Sequence, residues 1–304
     1  MIWLGSKRGY LSDWVTQCWV KLTGRKLNLS FEKWLEGPCG KTVGIGSEFF
    51  EDYACESNLV IQPESDEHGL IEDFRSLSAP DFEPSTIDPA VVYFYEHTAN
   101  YELEAWAEWS GPFRFFGKLL SSMFSRRLQQ LNVPLNGLDT SRGMTNKVLK
   151  LTDPDTGTVR YTTWVRKLVA TGNVLYAGGY SLCSVPLRKG ACVKVVFPLP
   201  NGNAIVIMRP QSHPDGSFSL TSSGVGFGDA GFYFNVQDPR DKSLFSVRYI
   251  QALQETIRVY QTEAGDLRAD HVLNLWGMTF LRLHYKLNPK TQTYSDQRKT
   301  RFAS

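Results

Sequence analysis

A chain of 304 residues, 42% of them hydrophobic, is long enough to bury a substantial core as one large domain or two ordinary ones. Lys and Arg total 33 against 31 Asp and Glu, so the formal charge of +2 argues against a nucleic-acid binder and leaves any charged partner to a local patch. Five cysteines, Cys18, Cys39, Cys55, Cys183 and Cys192, are odd in number and form no C-x-x-C pair, which argues against a disulfide framework and a zinc ribbon and makes a reducing compartment the expectation.

The opening stretch MIWLGSKRGYLSDWVTQCWVKL mixes charge into its apolar residues, and no later stretch approaches the roughly 18 to 20 apolar residues of a spanning helix. The expectation is therefore a soluble, cytoplasmic protein. Within that stretch SDWVTQCWVKL predicts a helix capped at Ser12, with Trp14, Val15, Cys18, Trp19 and Leu22 at helical spacing. A second short helix is predicted over 47–54, with Phe49, Phe50 and Tyr53 on one side. The acidic, Pro-containing stretch that follows reads as loop with one short helix around 70–77. Another helix begins at Pro89, since proline is well tolerated at the first helical position.

Residues 111–132, GPFRFFGKLLSSMFSRRLQQLN, carry the clearest amphipathic pattern. Phe113, Phe116, Leu119, Leu120, Met123, Phe124, Leu128 and Leu131 recur at intervals of three and four, and every charge is positive: Arg114, Lys118, Arg126 and Arg127. Such a stripe packs on a sheet, dips into a membrane surface or holds a partner. A sheet follows that needs a cover, so packing is the reading adopted, and the four cations then form an outward patch able to meet anionic headgroups.

Beyond residue 143 the period changes to two. Strands are predicted near 144–151, 158–169, 173–181, 191–198, 203–209, 217–223, 231–236, 255–262, 267–276 and 279–287. Their joints, DPDTG, ATGN, PLPNGN, HPDGS and TEAGD, carry the chemistry of tight turns, so the strands run antiparallel. The fold class expected is α+β: a mostly helical, irregular N-terminal region over 1–110, then the amphipathic helix laid on a large curved antiparallel sheet, barrel or half-barrel, over 111–287. The polar tail 288–304 is expected to be mobile.

Gly226, Gly228 and Gly231 fall at the G-x-G-x-x-G spacing of dinucleotide-binding turns. That fingerprint needs a helix after the glycines to hold a pyrophosphate, and the residues here are FYFNV, which favour a strand. The glycines read instead as a wide loop or bulge, or as a loop at the mouth of a pocket where backbone approaches a ligand. GPCGKT at 37–42 lacks the four-residue spacing of a phosphate-binding Walker loop and is rejected.

Catalytic candidates are sparse. His97, beside Glu96, has the makings of a general base, though it matches no zinc-helix motif and a structural hydrogen bond at a helix end is the simpler fate. Strand alternation groups His271 with Leu267, Ala269, Leu273 and Leu275, so its imidazole faces the apolar side, as a core histidine or as a polar anchor in a cavity. Arg166 and Arg209 stand in apolar strands, where either has the bidentate geometry for a carboxylate, and an exposed sheet face is the alternative. No metal or cofactor is expected.

The runs SGPFRFFGKLL, TTWVRKL and LNLWGMTFLRLHYKL, with Gly111, Pro112, Phe113, Arg166, Gly277 and Tyr285, resemble an uncharacterised bacterial domain found at the C-terminus of YndJ-type proteins. The resemblance covers 109–287, finds no counterpart for the first hundred residues, and implies a helix-plus-large-sheet unit without an established activity. The function expected is a non-enzymatic module holding an apolar or amphipathic small molecule, lipid-like, between sheet and helices. Trp106, Trp109, Trp164 and Trp276 would line the site, with His271, Arg166, Arg209, Gly226 and Gly228 completing it. The alternatives are an enzyme of hydrolase or isomerase type using His97 or His271 with a nearby carboxylate, and a peripheral protein using the basic helix 111–132.

Overall fold

A computed structural model describes residues 2–111, 113, 144–169 and 172–290. The helix expected over 111–132, with Arg114, Lys118, Arg126 and Arg127, lies outside the described residues apart from Gly111 and Phe113, as does 291–304. Three α-helices are described: α1 (Leu11–Thr23), α2 (Phe49–Glu56) and α3 (Pro89–Glu96). Asp88 caps α3 through its carboxylate, which accepts from Ala90 N–H at 2.8 Å, with Pro89 at the first helical position.

The region before residue 111 also supplies three strands that were not expected, β1 (Arg25–Asn28), β2 (Val60–Ile61) and β3 (Tyr101–Trp109). Ten expected strands are present, each within three residues of its expected ends: β4 (Met144–Thr152), β5 (Val159–Leu168), β6 (Val174–Cys183), β7 (Cys192–Leu199), β8 (Gly202–Ser212), β9 (Phe218–Thr221), β10 (Gly231–Gln237), β12 (Leu253–Gln261), β13 (Leu267–Leu275) and β14 (Met278–Pro289). One more, β11 (Leu244–Ile250), was not expected.

All fourteen strands belong to one open, curled antiparallel sheet whose main path runs β2-β4-β5-β6-β7-β8-β9-β12-β13-β14-β3. At one corner its ends approach: Asn146 of β4 donates to the carbonyl of Tyr101, where β3 begins, at 2.8 Å. The sheet forks at β8. The end of β8, Arg209–Ser212, pairs with β9, its beginning, Gly202–Ile207, pairs with β10, and β10 leads away to β11 and β1.

The glycine-rich stretch 222–231 sits at this fork. Gly231 opens β10 with φ +151°, and a Cβ there would lie 2.4 Å from the Tyr249 ring, so only glycine lets the second branch leave so close to β11. Asp229 ties the loop by accepting from Val225 N–H at 3.0 Å. No helix follows.

The curl gives the sheet two buried faces. The concave side holds one apolar cluster, in which Phe218 of β9 is ringed by Phe74, Phe82 and Tyr95, and α3 contributes Val91 and Phe94. The outer side holds a second, in which Trp34, Leu35, Phe49 and Phe50 of the N-terminal region cover Tyr161, Ile205, Ile207 and Tyr233. The N-terminal region thus covers both faces. α1 corrects a simple reading of its periodicity: its buried residues are Asp13, Gln17 and Val20, and the stripe of Trp14, Val15, Trp19 and Leu22 points outward.

Candidate functional site

Polar side chains converge on the concave face from both branches of the curl. Alternation along β5 turns Trp164 and Arg166 inward, and along β6 it turns Tyr176, Gly178 and Tyr180 to meet them. Gly178 leaves room for the Tyr176 ring, which a Cβ would approach to 2.9 Å, and the Tyr176 and Tyr180 hydroxyls then meet at 2.5 Å. From the opposite wall come Glu255 of β12, His271 of β13 and Tyr285 of β14.

Arg166 is the centre of the group. Its guanidinium carbon lies 4.4 Å from the Trp164 ring, 4.5 Å from Tyr176 and 5.4 Å from Tyr285. The Trp164 and Tyr176 centroids are only 5.9 Å apart, well short of the sum of the first two distances, so the rings form two walls of a corner instead of a sandwich. Arg166 is buried and its guanidinium donates a hydrogen bond to the Tyr285 hydroxyl, while its Nε has no hydrogen-bond partner and no ion pair among the described residues includes it. Burial pushes Tyr176 and Tyr180 well above the ordinary phenol range, so they present neutral hydroxyls and ring faces and no negative charge.

The carboxylate available on this face is committed elsewhere. Glu255 meets His271 Nε2 at 2.9 Å, both side chains being largely buried, and the Glu255 backbone is fixed by two bonds to Ser222 at the fork, 2.7 and 2.9 Å. Trp164 is oriented by Asn146, whose amide oxygen accepts from the indole N–H.

Of the residues singled out from sequence, Arg166, Trp164 and His271 come together here, and Trp109 lies half-buried beside the same apolar cluster, against Phe280. The others do not join them. Arg209 shares the outward register of Ile205 and Ile207. Gly226 and Gly228 flank Phe227, which packs on Trp34 and Tyr233 on the outer side. Trp106 and Trp276 are exposed, because β3 turns its even-numbered residues outward and Trp276 sits at the β13–β14 turn. His97 and Glu96 form no pair: Glu96 accepts from Phe74 N–H at 2.8 Å, and His97 stacks on Tyr93 and meets Glu67 at 3.1 Å.

Sequence reasoning missed Glu255, Tyr176 and Tyr180. The signal for Glu255 was present in the alternation Leu253, Glu255, Ile257, Val259, which puts a carboxylate on the apolar side of a strand. Among the described residues no group of three or more His, Cys, Asp or Glu side chains is placed to hold a metal ion.

No family model matches the chain, and no solved structure matches it. A curated protein of Bacillus subtilis (strain 168), described as the uncharacterized membrane protein YndJ, is 28% identical over 246 residues. The chain resembles YndJ. The match covers 80% of this chain and 41% of YndJ, so the chain spans less than half of that protein's length. At 246 residues it is too long to be confined to 109–287, and the resemblance reaches into the first hundred residues, contrary to expectation. The expectation of a cytoplasmic protein is also corrected, since YndJ is described as a membrane protein. Among the described residues no helix is long and apolar enough to cross a membrane.

Proposed function

We propose that the concave side of the sheet, acting as a half-barrel wall, binds an amphipathic, lipid-like small molecule whose polar head meets Arg166. The observation that carries this reading is a buried guanidinium with aromatic walls and no carboxylate partner among the described residues. A buried charge without a counter-charge is costly, and a ligand anion meeting the guanidinium would relieve it with charge-assisted bonds. The head group fitted is a single negative charge, because the Glu255 carboxylate lies on the same face and would repel a second. The description of YndJ as a membrane protein suits a ligand drawn from lipid.

The test is titration with a long-chain carboxylic acid and with the primary alcohol of the same chain. The acid should bind at least about tenfold more tightly, the value of one charge-assisted contact, and Arg166→Met should abolish that preference. Equal binding of the two would remove Arg166 from the reading, and binding of neither would remove the reading itself. Native mass spectrometry of protein purified from its source should show a co-purifying apolar mass that Arg166→Met loses.

The Glu255–His271 contact supports a second reading, an acid–base enzyme in which the carboxylate orients the imidazole as a general base. Hydrolysis of a medium-chain p-nitrophenyl ester that Glu255→Gln slows by about a hundredfold or more would favour it over the carrier.

A further inference from the structure

α1 is mounted on the protein by its polar side. A surface helix ordinarily buries its apolar stripe. Here Asp13, Gln17 and Val20 are buried, while Trp14 and Trp19 are each 41% exposed, Val15 54% and Leu22 85%. Hydrogen bonds set this orientation. Asp13 accepts from Tyr10 N–H at 3.0 Å, Gln17 donates to the Pro200 carbonyl at 3.1 Å, and Asn201 donates to Gln17 at 3.2 Å. Trp3, itself exposed, lies beside the start of the helix with its ring 4.9 Å from Tyr10, which extends the apolar face.

The exposed charges along this segment have one sign. Lys7 and Arg8 precede α1, Lys21 lies in its last turn, and Arg25 and Lys26 follow; all five are exposed, and none is in an ion pair among the described residues. Over residues 2–31 the one acidic side chain is Asp13, turned into the protein.

We infer that α1 seats the protein on an anionic lipid surface, its tryptophans and aliphatic residues entering the headgroup boundary while the flanking lysines and arginines meet lipid phosphates. Tryptophan prefers the membrane–water boundary, and clustered cations are drawn to anionic leaflets. A protein partner fits less well, because lysine is depleted at protein interfaces and three of the five cations are lysines. This surface is separate from the concave site and does not depend on it.

The experiment is co-sedimentation of the whole chain with phosphatidylcholine vesicles, with and without phosphatidylglycerol. The protein should sediment with the anionic vesicles and partition at least tenfold more weakly onto the neutral ones or in high salt. Trp14→Ser combined with Leu22→Ser, and Lys21→Glu combined with Lys26→Glu, should each weaken binding tenfold or more with unchanged melting curves, and Arg166→Met should bind as wild type. Failure of the wild-type chain to sediment with anionic vesicles would overturn the inference. So would undiminished binding by both α1 variants, which would place the contact elsewhere, or a dimer in light scattering that the variant lacking Trp14 and Leu22 dissociates, which would make the face a self-contact.

Discussion

The two faces of the sheet bury polar side chains to different ends. On the outer face Asn203 donates to the carbonyls of Gly37 and Pro38, Asn235 to that of Leu35, and Lys194 to that of Glu36, at 2.9 to 3.2 Å. Each is a staple holding the N-terminal region against the strands. On the concave face the polar groups address one another, and Arg166 has no counter-charge among the described residues. Backbone staples specify a structure, whereas a buried charge without a counter-charge is the feature on which the proposed ligand site rests.

The largest expected effect tests whether the apolar end of the concave face behaves as plain core. Phe218 is fully buried, with three aromatic rings centred 4.9 to 5.5 Å away, and Phe218→Ala should cost about 3 to 5 kcal/mol in urea unfolding. Next comes an outer staple. Asn203→Ala leaves two loop carbonyls unpaired and should cost about 2 kcal/mol without altering ligand binding. Arg166→Met should change stability by less than about 1 kcal/mol while removing the preference for an acid, since replacing a poorly compensated buried charge by an apolar residue is close to neutral. A loss as large as that of Asn203→Ala would make Arg166 another staple and break the contrast.

Smaller effects follow from titration. Burial holds the His68 imidazole below its ordinary value, against a hydrogen bond that the ring donates to the Val148 carbonyl, which raises it. The unfolded chain therefore binds the proton more readily, so this contribution to stability is complete above about pH 6.5 and is lost as the pH falls through the lowered folded value. The melting temperature should fall as the pH drops from about 6.5 to 5, and His68→Gln should flatten that fall. Last, burial pushes the thiols of Cys39 and Cys183 up to about 12 and that of Cys192 up to about 11, whereas Cys55 is exposed. A thiol reagent at neutral pH should label Cys55 first and leave those three to react at the rate of unfolding.

Much of the large sheet was legible because its turns carry Asn, Asp and Gly between alternating runs. β11 escaped because LFSVRYI shows little alternation between two polar loops, and β1 and β2 because four and two residues carry no period. β3 alternates plainly in YELEAWAEW but stands directly after a helix, and the two periods blur where they meet. Of the site, the inward turn of His271 followed from its own strand. That Glu255 is its partner follows from the register of the β12–β13 hairpin, which the alternation alone does not fix, whereas Arg166 lies across from Tyr285 only because the sheet curls, a property of twist and packing between strands remote in sequence. The outward stripe of α1 was illegible for a related reason: hydrophobic period tells which residues share a face, and hydrogen bonds to Pro200 and Asn201 decide which way that face turns.

The pairing of β1 with β11 sets Arg25 opposite Val247, joining segments most of the chain apart. As the polypeptide leaves the ribosome, its first strand and the tryptophan-bearing helix before it must wait, uncovered, until the far side of the fork has been made. Topologies of this kind fold slowly and are prone to sticking while incomplete, so newly made chains should lean on chaperones, and refolding yield in vitro should decline as protein concentration rises.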